Sequence, residues 1–478
     1  MNDIAHAPDY SRRWHILAAT GMGVFLATID ASIVNVALPT LVRAFDTRFA
    51  VIQWVPLAYM LTVATLILSM GRLGDLRGKK KIYLYGMVIF TVGSIACGLS
   101  QTVYMLILFR VFQAVGAAMM ASLGTAIVTE AFPASERGRA LGTIGGIVSI
   151  GIITGPALGG LLVDALSWHW IFFVNIPVGI AGLWMVNRYL PETKSAAIQN
   201  FDFSGAGLMF VSVTTFLSAL TLGQSRGFRD NMVILLFIIW LLSFFIFMRV
   251  ELKVKSPMID LRLFRNRLFS LNLMTGFFSF VSTAGVVLLM PFYLENVLGY
   301  NPHQVGLLLA VVPVSAGIAS PLAGILSDRV GSRPVATIGL MVLLIGFYGL
   351  TTLTDQTTAL GYILRFIPVG LGLGIFQSPN NSAIMGAAPR DRLGTVSGLL
   401  SITRTLGQTS GIAALGAFWA ARVAYYYGLH AHTNPTRTDI GAQVSGLQDT
   451  LSAITLVIAF ALVSNFIAMV VLWMRGKN

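Results

Sequence analysis

The sequence predicts an all-α polytopic membrane protein with 14 transmembrane helices, and three observations lead there. Hydrophobic residues make up 56% of the 478-residue chain and charged residues 11%, with a mean hydropathy of +0.78. A soluble domain carries about a quarter charged residues, so this composition cannot cover a soluble surface. Apolar stretches of about 20 residues, the length that crosses a bilayer's hydrocarbon core, recur along the whole chain. Lys and Arg alternate between the segments that join them, and the alternation closes only with an even number of spans.

The predicted spans lie near 14–39, 51–72, 82–99, 103–128, 139–163, 170–188, 204–223, 231–249, 269–292, 304–326, 335–353, 359–383, 396–420 and 451–474. The first has a polar interior (Asp30, Asn35) and no small-residue cleavage site, so it reads as a span and not as a secretory signal. The fourth carries Arg110 and Gln113, the fifth a glycine series with Pro156, the twelfth Arg365 and the thirteenth Arg404. The run from Arg249 to Arg267 between spans 8 and 9 is the densest basic cluster and reads as an orientation signal at the membrane surface. The segment near 421–450 is polar with few apolar anchors and is expected to be a mobile external loop.

Placing both termini in the cytoplasm puts every lysine inside and leaves Arg43, Arg48, Arg226, Arg229, Arg422 and Arg437 in external loops. The net charge of +13 is then mostly topology and contact with anionic lipid, not a nucleic-acid footprint. The single cysteine, Cys97, excludes an internal disulfide and any multi-cysteine zinc or iron–sulfur site.

One loop recurs. Gly71-Arg-Leu-Gly-Asp75-Leu-Arg-Gly78-Lys-Lys80 follows span 2, and Gly324-Ile-Leu-Ser-Asp328-Arg-Val-Gly331-Ser-Arg333 follows span 10. Both fit G-x-L-x-D-x-x-G-x-[KR], and each precedes an arginine within a span, Arg110 and Arg365. Spans 1–6 therefore repeat as spans 9–14. The chain divides into an N-terminal six-helix bundle (1–200), an insertion of spans 7 and 8 with the start of a cytoplasmic linker (201–255), and a C-terminal six-helix bundle (256–478).

With these motifs in order, the chain resembles the major facilitator superfamily, in particular its fourteen-helix drug:proton antiporter branch. The resemblance rests on Leu26–Pro39 in span 1, the recurrent loop, Arg110-Val-Phe-Gln113-Ala-Val-Gly116, Gly146 with Gly155-Pro156-Ala-Leu-Gly159-Gly160, Trp168–Pro177, and Phe201-Asp202. Ala114 stands where the helix-4 motif usually has Gly, and Leu76 where the loop often has Arg. The resemblance implies two six-helix bundles around a central site, with spans 1 and 4 lining the N-terminal bundle's cavity.

Asp30 is the one acid deep within a span, and such a residue is a functional hypothesis by default. Desolvation favours the protonated form of a carboxyl and a nearby cation the ionised form, so a small change of surroundings can drive proton uptake or release. The other reading is a permanently paired structural carboxylate. Arg110 stays charged and needs an anion, with Asp30 as its natural partner, either as an exchanging pair or as a static bridge. Gln113, at i+3, shares the face of Arg110. Gly151, Gly155 and Gly159 form a flat ridge and Pro156 loosens the helix one turn back, suiting either close packing or a gate. In the recurrent loop, Gly71 and Gly78 permit tight turns. Asp75, and by repetition Asp328, can lie against a helix N-terminus of the opposite bundle and latch the outward-facing state, or serve simple turn chemistry.

A cavity lining is expected from Asn35, Gln53, Trp54, Tyr59, Gln113, Phe376, Gln377, Asn380 and Asn381, since apolar walls with few polar groups suit amphiphiles and aromatic rings can hold cations. Arg404 reads either as functional or as snorkelling to the interface. The glycines before Lys79 and Lys80 are not a phosphate-binding loop, which requires Ser or Thr after its lysine. No cofactor, metal site or enzyme activity is expected, and the proton gradient is the expected energy source. The resemblance implies a transporter in the bacterial cytoplasmic membrane exporting amphiphilic or cationic compounds in exchange for protons. The expected partners are substrate, protons and lipid, the expected state a monomer. A proton-coupled symporter or facilitator for a metabolite, or a lipid flippase, remains open on the same fold.

Overall fold

A computed structural model of the chain describes residues 11–47, 49–52, 54–192, 202–254, 257, 259–430 and 435–475; side chains at 35, 36, 39, 49, 50, 224–226, 302, 303, 429, 430, 435–439 and 467–475 are not among them. The described residues form long helices and no strand. In chain order these are α1 (Arg13–Ala44), α2 (Trp54–Arg77), α3 (Lys79–Gly98), α4 (Val103–Ala131), α5 (Arg137–Ala165), α6 (Asn175–Tyr189) and α7 (Phe203–Arg226). There follow α8 (Asn231–Glu251), α9 (Arg267–Phe292), α10 (Val311–Val330), α11 (Ser332–Leu350), α12 (Ala359–Gly386), α13 (Leu393–His430) and α14 (Pro435–Arg475).

Among the described residues, 13 helical stretches are long and apolar enough to cross a membrane. The exception is α13, which has length to spare at 38 residues but carries Ser401, Thr403, Arg404, Thr405, Gln408 and Thr409 in its first half. These polar residues suit a helix that packs on α2 and α4 of the other half of the chain and not mainly on lipid.

One expectation needs correction, the loop near 421–450. Span 10 holds as Gln304–Val330, with an interruption where a short helix, Pro302–Leu309, ends before α10 begins at Val311. Pro313 has no N–H to give the Leu309 carbonyl, so the ladder breaks there. The segment near 421–450 is mostly helix and not a loop, because α13 and α14 run on toward each other. Arg422 Nε and Tyr426 Oη both donate to Asp449 Oδ2, at 2.6 and 3.0 Å, and Gln448 Nε2 donates to the Leu353 carbonyl at 2.8 Å. Residues 431–434 lie outside the described set.

Helices α1–α6 pack among themselves, with α1 against α4, α5 and α6, α4 between α2 and α3, and α6 also on α3. Helices α9–α14 do the same, α12 lying between α10 and α11 and α9 against α13 and α14. The two sets meet along two seams: α5 packs on α10 and α12, and α13 on α2 and α4. The second and fifth helices of each set thus exchange partners, as a two-fold relation between repeats requires. Helices α7 and α8 pair with each other, and α7 rests against α2 and α13 on the outside of one seam. Val213 and Leu217 of α7 enter an apolar cluster with Ala64, Ile67, Leu399 and Ile402.

Candidate functional site

Inside the first set of helices lies a charged centre that is closed to solvent, Asp30 being 0% and Arg110 1% exposed. Arg110 Nη1 donates to Asp30 Oδ2 at 2.6 Å and to Gln113 Oε1 at 2.7 Å. Gln113 Nε2 donates to Asp30 Oδ1 at 3.0 Å and to Ser94 Oγ at 2.9 Å, and Asn175 Nδ2 makes the same two contacts at 3.0 and 2.9 Å. The Gln113 amide can point only this way, since a flip would turn its NH2 toward a guanidinium that only donates. Tyr59 lies 4.0 Å from the Arg110 guanidinium, ring face on, and Phe172 lies 5.9 Å away. Arg110 Nε and Asn175 Oδ1 have no hydrogen-bond partner among the described residues.

Each helix brings its group for a local reason. The i, i+3 spacing stacks Arg110 and Gln113 on one face of α4. Gly93 lets α3 approach the Gln113 backbone, where a Cβ would come within 2.7 Å of Gln113 Cα, and so brings Ser94 into reach. Asn175 is the first residue of α6, directly after the short helix Trp170–Phe173 and the link at Val174. A carboxylate in apolar surroundings needs this number of donors. Arg365, the repeat counterpart of Arg110, meets no carboxylate among the described residues: its Nε donates to Thr352 Oγ1 and its Nη1 to the Gly361 carbonyl, both at 2.9 Å. The centre is confined to one half of the molecule.

A second pair of sites lies at the end of the molecule that carries Lys79–Lys81, Arg139, Arg333 and Arg390, hereafter the basic end. Asp75 accepts from the backbone N–H of Gly394 and Thr395, both at 2.8 Å, and from Thr395 Oγ1 at 3.0 Å. Asp328 accepts from the N–H of Gly138 at 2.7 Å and of Arg139 at 2.8 Å. Each acid at the end of one set's second helix therefore caps the first turn of the other set's fifth helix, where free N–H groups and the helix dipole favour an anion. Lys79 Nζ sits 3.5 Å from Asp75 and 3.4 Å from Glu130. Gly78 and Gly331, which open α3 and α11, have φ of 97° and 93°, so the repeated glycine is a backbone requirement.

The seams are built by backbone contact. A Cβ on Gly71 would strike the Gly394 carbonyl, one on Gly142 the Ser320 carbonyl, and one on Gly324 the Gly138 carbonyl. Gly146 also faces the α5–α10 seam, 3.5 Å from Gly317 O and Pro321 Cγ measured from an added Cβ. The ridge of Gly151, Gly155 and Gly159 faces elsewhere, onto Thr28, Ser32 and Ile33 of α1, and Ser32 Oγ donates to the Gly151 carbonyl at 3.1 Å. Helix α5 thus changes partner about halfway along, from α10 to α1, and exposed Pro156 lies in the half that packs on α1.

The expected cavity residues disperse. Tyr59 and Gln113 join the charged centre; Trp54, at the start of α2, is 42% exposed. Phe376 is buried against Gly339 of α11, and Asn380 is buried beside Gly276 of α9 with Oδ1 unpartnered. Gln377 and Asn381 share one half-buried face of α12. Gln53 lies outside the described residues, as does the side chain of Asn35. Asn175 and Ser94 enter the centre without having been singled out as site residues in the sequence. The helix starts that receive Asp328 and Asp75 had a readable signal: Pro133-Ala-Ser-Glu-Arg-Gly138 and Pro389-Arg-Asp-Arg-Leu-Gly394 share P-x-x-x-x-G, each preceding its fifth helix.

Two six-helix sets joined by crossed second and fifth helices, with a buried ion pair in one set, define the class. Residues 20–412 match the Major Facilitator Superfamily model, and the chain belongs to that family of transporters. It is similar to the riboflavin transporter RibZ of Clostridioides difficile, 35% identical over 88% of this chain and 92% of that protein. It is also similar to the multidrug resistance protein Stp of Mycobacterium tuberculosis, 38% identical over 85% of this chain and 75% of that one. Among solved structures, the human organic anion transporter MFSD10 shares the fold with a TM-score of 0.65 at 16% identity, covering 95% of this chain and 100% of that one.

Proposed function

We propose that the protein exports an amphiphilic compound across the cytoplasmic membrane in exchange for protons, by alternating access between its two bundles. The basic end faces the cytoplasm, following the lysine distribution, and its two capped seams correspond to an outward-facing state. The observation that carries the reading is the closed centre on Asp30. Its carboxylate is held by donors from α4 and α6, so protonation would release Arg110 and loosen two helices at once. Proton binding is thereby coupled to helix packing in one bundle. Similarity to Stp favours a drug-like substrate; similarity to RibZ favours a second reading, a polar planar metabolite on the same machinery.

Oriented proteoliposomes under an imposed pH gradient test this, following internal pH together with a fluorescent amphiphile or riboflavin. Substrate movement with coupled proton flux, both lost in Asp30→Asn, is expected. Undiminished coupled flux in Asp30→Asn removes Asp30 from the proton path, and substrate movement without proton flux in the wild type replaces exchange with facilitation.

A further inference from the structure

Among the described residues, three charged side chains stand away from both ends of the spans: Asp30, Arg110 and Arg404. The first two neutralise each other at 2.6 Å. Arg404 lies about 16 Å along α13 from Leu393 at 1.5 Å per residue, too deep for an interface residue. It has no hydrogen bond, ion pair or ring contact among the described residues, and it is exposed.

The helix wheel shows which way it faces. Three residues before it, Ser401 turns to α4 and donates to the Ala121 carbonyl at 3.3 Å. Three and seven residues after it, Gly407 and Gly411 press on Phe277 and Val281 of α9. Leu399, Ile402 and Leu406, on the opposite side of α13, join the apolar cluster with Val213 and Leu217 of α7. At 100° per residue Arg404 falls between the α4 and α9 directions, so it faces the space between the bundles and not lipid. Gln408, one turn on, shares this face, is exposed and has no partner among the described residues. The space between the bundles therefore carries one unbalanced positive charge.

We propose that the space between the bundles, bordered by α4, α9 and α13, binds an amphiphilic organic anion, with the Arg404 guanidinium as its counter-charge and Gln408 as a hydrogen-bonding neighbour. This rests on the transport reading above and sharpens it. The sequence alone allowed a cationic cargo held by aromatic rings; the sealed pairing of Asp30 leaves no free carboxylate in the span interiors among the described residues to balance one. A guanidinium offers a planar fork of donors to a carboxylate, sulfonate or phosphate, and in a cavity partly shielded from water this contact is stronger than at a surface.

The test is equilibrium binding of fluorescein and rhodamine 6G, an anion and a cation on the same xanthene ring system, to the purified full-length protein without a pH gradient, read by fluorescence anisotropy. Wild type is expected to bind fluorescein at least about tenfold more tightly. Arg404→Gln should erase that preference by weakening fluorescein about tenfold or more while leaving rhodamine 6G unchanged or tighter, and Arg404→Lys should keep most of it. Tighter rhodamine 6G binding by wild type, binding of neither dye, or an Arg404→Gln that weakens both dyes equally overturns the proposal. Gradient-driven uptake of the same dyes separates it from the transport reading. Fluorescein binding without proton-driven uptake leaves the anion site and contradicts exchange, whereas proton-driven rhodamine 6G uptake by a protein that does not bind fluorescein does the reverse.

Discussion

Asp30 and Arg110 form a buried pair whose members depend on each other more than the protein depends on the pair. Removing one partner leaves an uncompensated buried charge, at a cost of about 3–5 kcal/mol, whereas removing both is often near neutral. Arg110→Met should therefore lower stability by about that amount, and adding Asp30→Asn should restore much of it, a non-additivity that a double-mutant cycle on thermal unfolding would detect. Additive losses would mean that the pair is not coupled as its 2.6 Å contact implies. Asn175→Ala removes the donor shared by Asp30 and Ser94 and should cost about 1–3 kcal/mol in the same assay. At this scale residue type made the ion pair legible: an acid and an arginine within apolar spans have few ways to be satisfied. Asn175 was hidden because an amide near a span end is ordinary in sequence. Only the fold shows that α6 starts level with the carboxylate.

Each of the elements that join the bundles ends in an acid or begins with free N–H groups. Asp75→Asn and Asp328→Asn retain shape but weaken charge-assisted bonds, so each should shift the population toward a state open at the basic end by about tenfold. The distance distribution between spin labels on Arg77→Cys and Arg390→Cys, in a Cys97→Ala background, reads this across the α2–α13 seam, with a longer component growing in either variant. A distribution identical to that of the unaltered seam would show that the caps do not hold it closed. Gly331→Ala should cost about 1–3 kcal/mol through its φ of 93° alone, seen as a lower unfolding temperature. The recurrent loop was readable because two copies share a spacing, and its glycine was readable as a turn. The partner of the α5 glycine ridge was not readable: a small-residue stripe shows that something approaches closely but not which helix. Here the stripe meets α1, and the seam uses Gly138, Gly142 and Gly146 instead. The helical continuation across much of 421–450 was obscured in the same way, because Arg422, Tyr426 and Asp449 make a polar segment look like a loop until their contacts are seen.

For the whole molecule, the proposed cycle is asymmetric. Both repeats supply a cap at the basic end, but one supplies the buried Asp30–Arg110 centre while the other, through α13, supplies Arg404 to the space between. The repeat in the sequence predicts six and six helices, and the packing of α1–α6 among themselves and of α9–α14 among themselves is what such a grouping would give; the lack of an acid partner for Arg365 among the described residues is where the two halves part in chemistry. The central claim is that proton flow through Asp30 is coupled to substrate movement. The most direct test is the ratio of protons to fluorescein or riboflavin moved in opposite directions across oriented proteoliposomes, compared between wild type and Asp30→Asn. The account predicts a fixed ratio in the wild type and no coupled proton movement in Asp30→Asn. The same ratio in both proteins, or substrate movement by the wild type without protons, would contradict it.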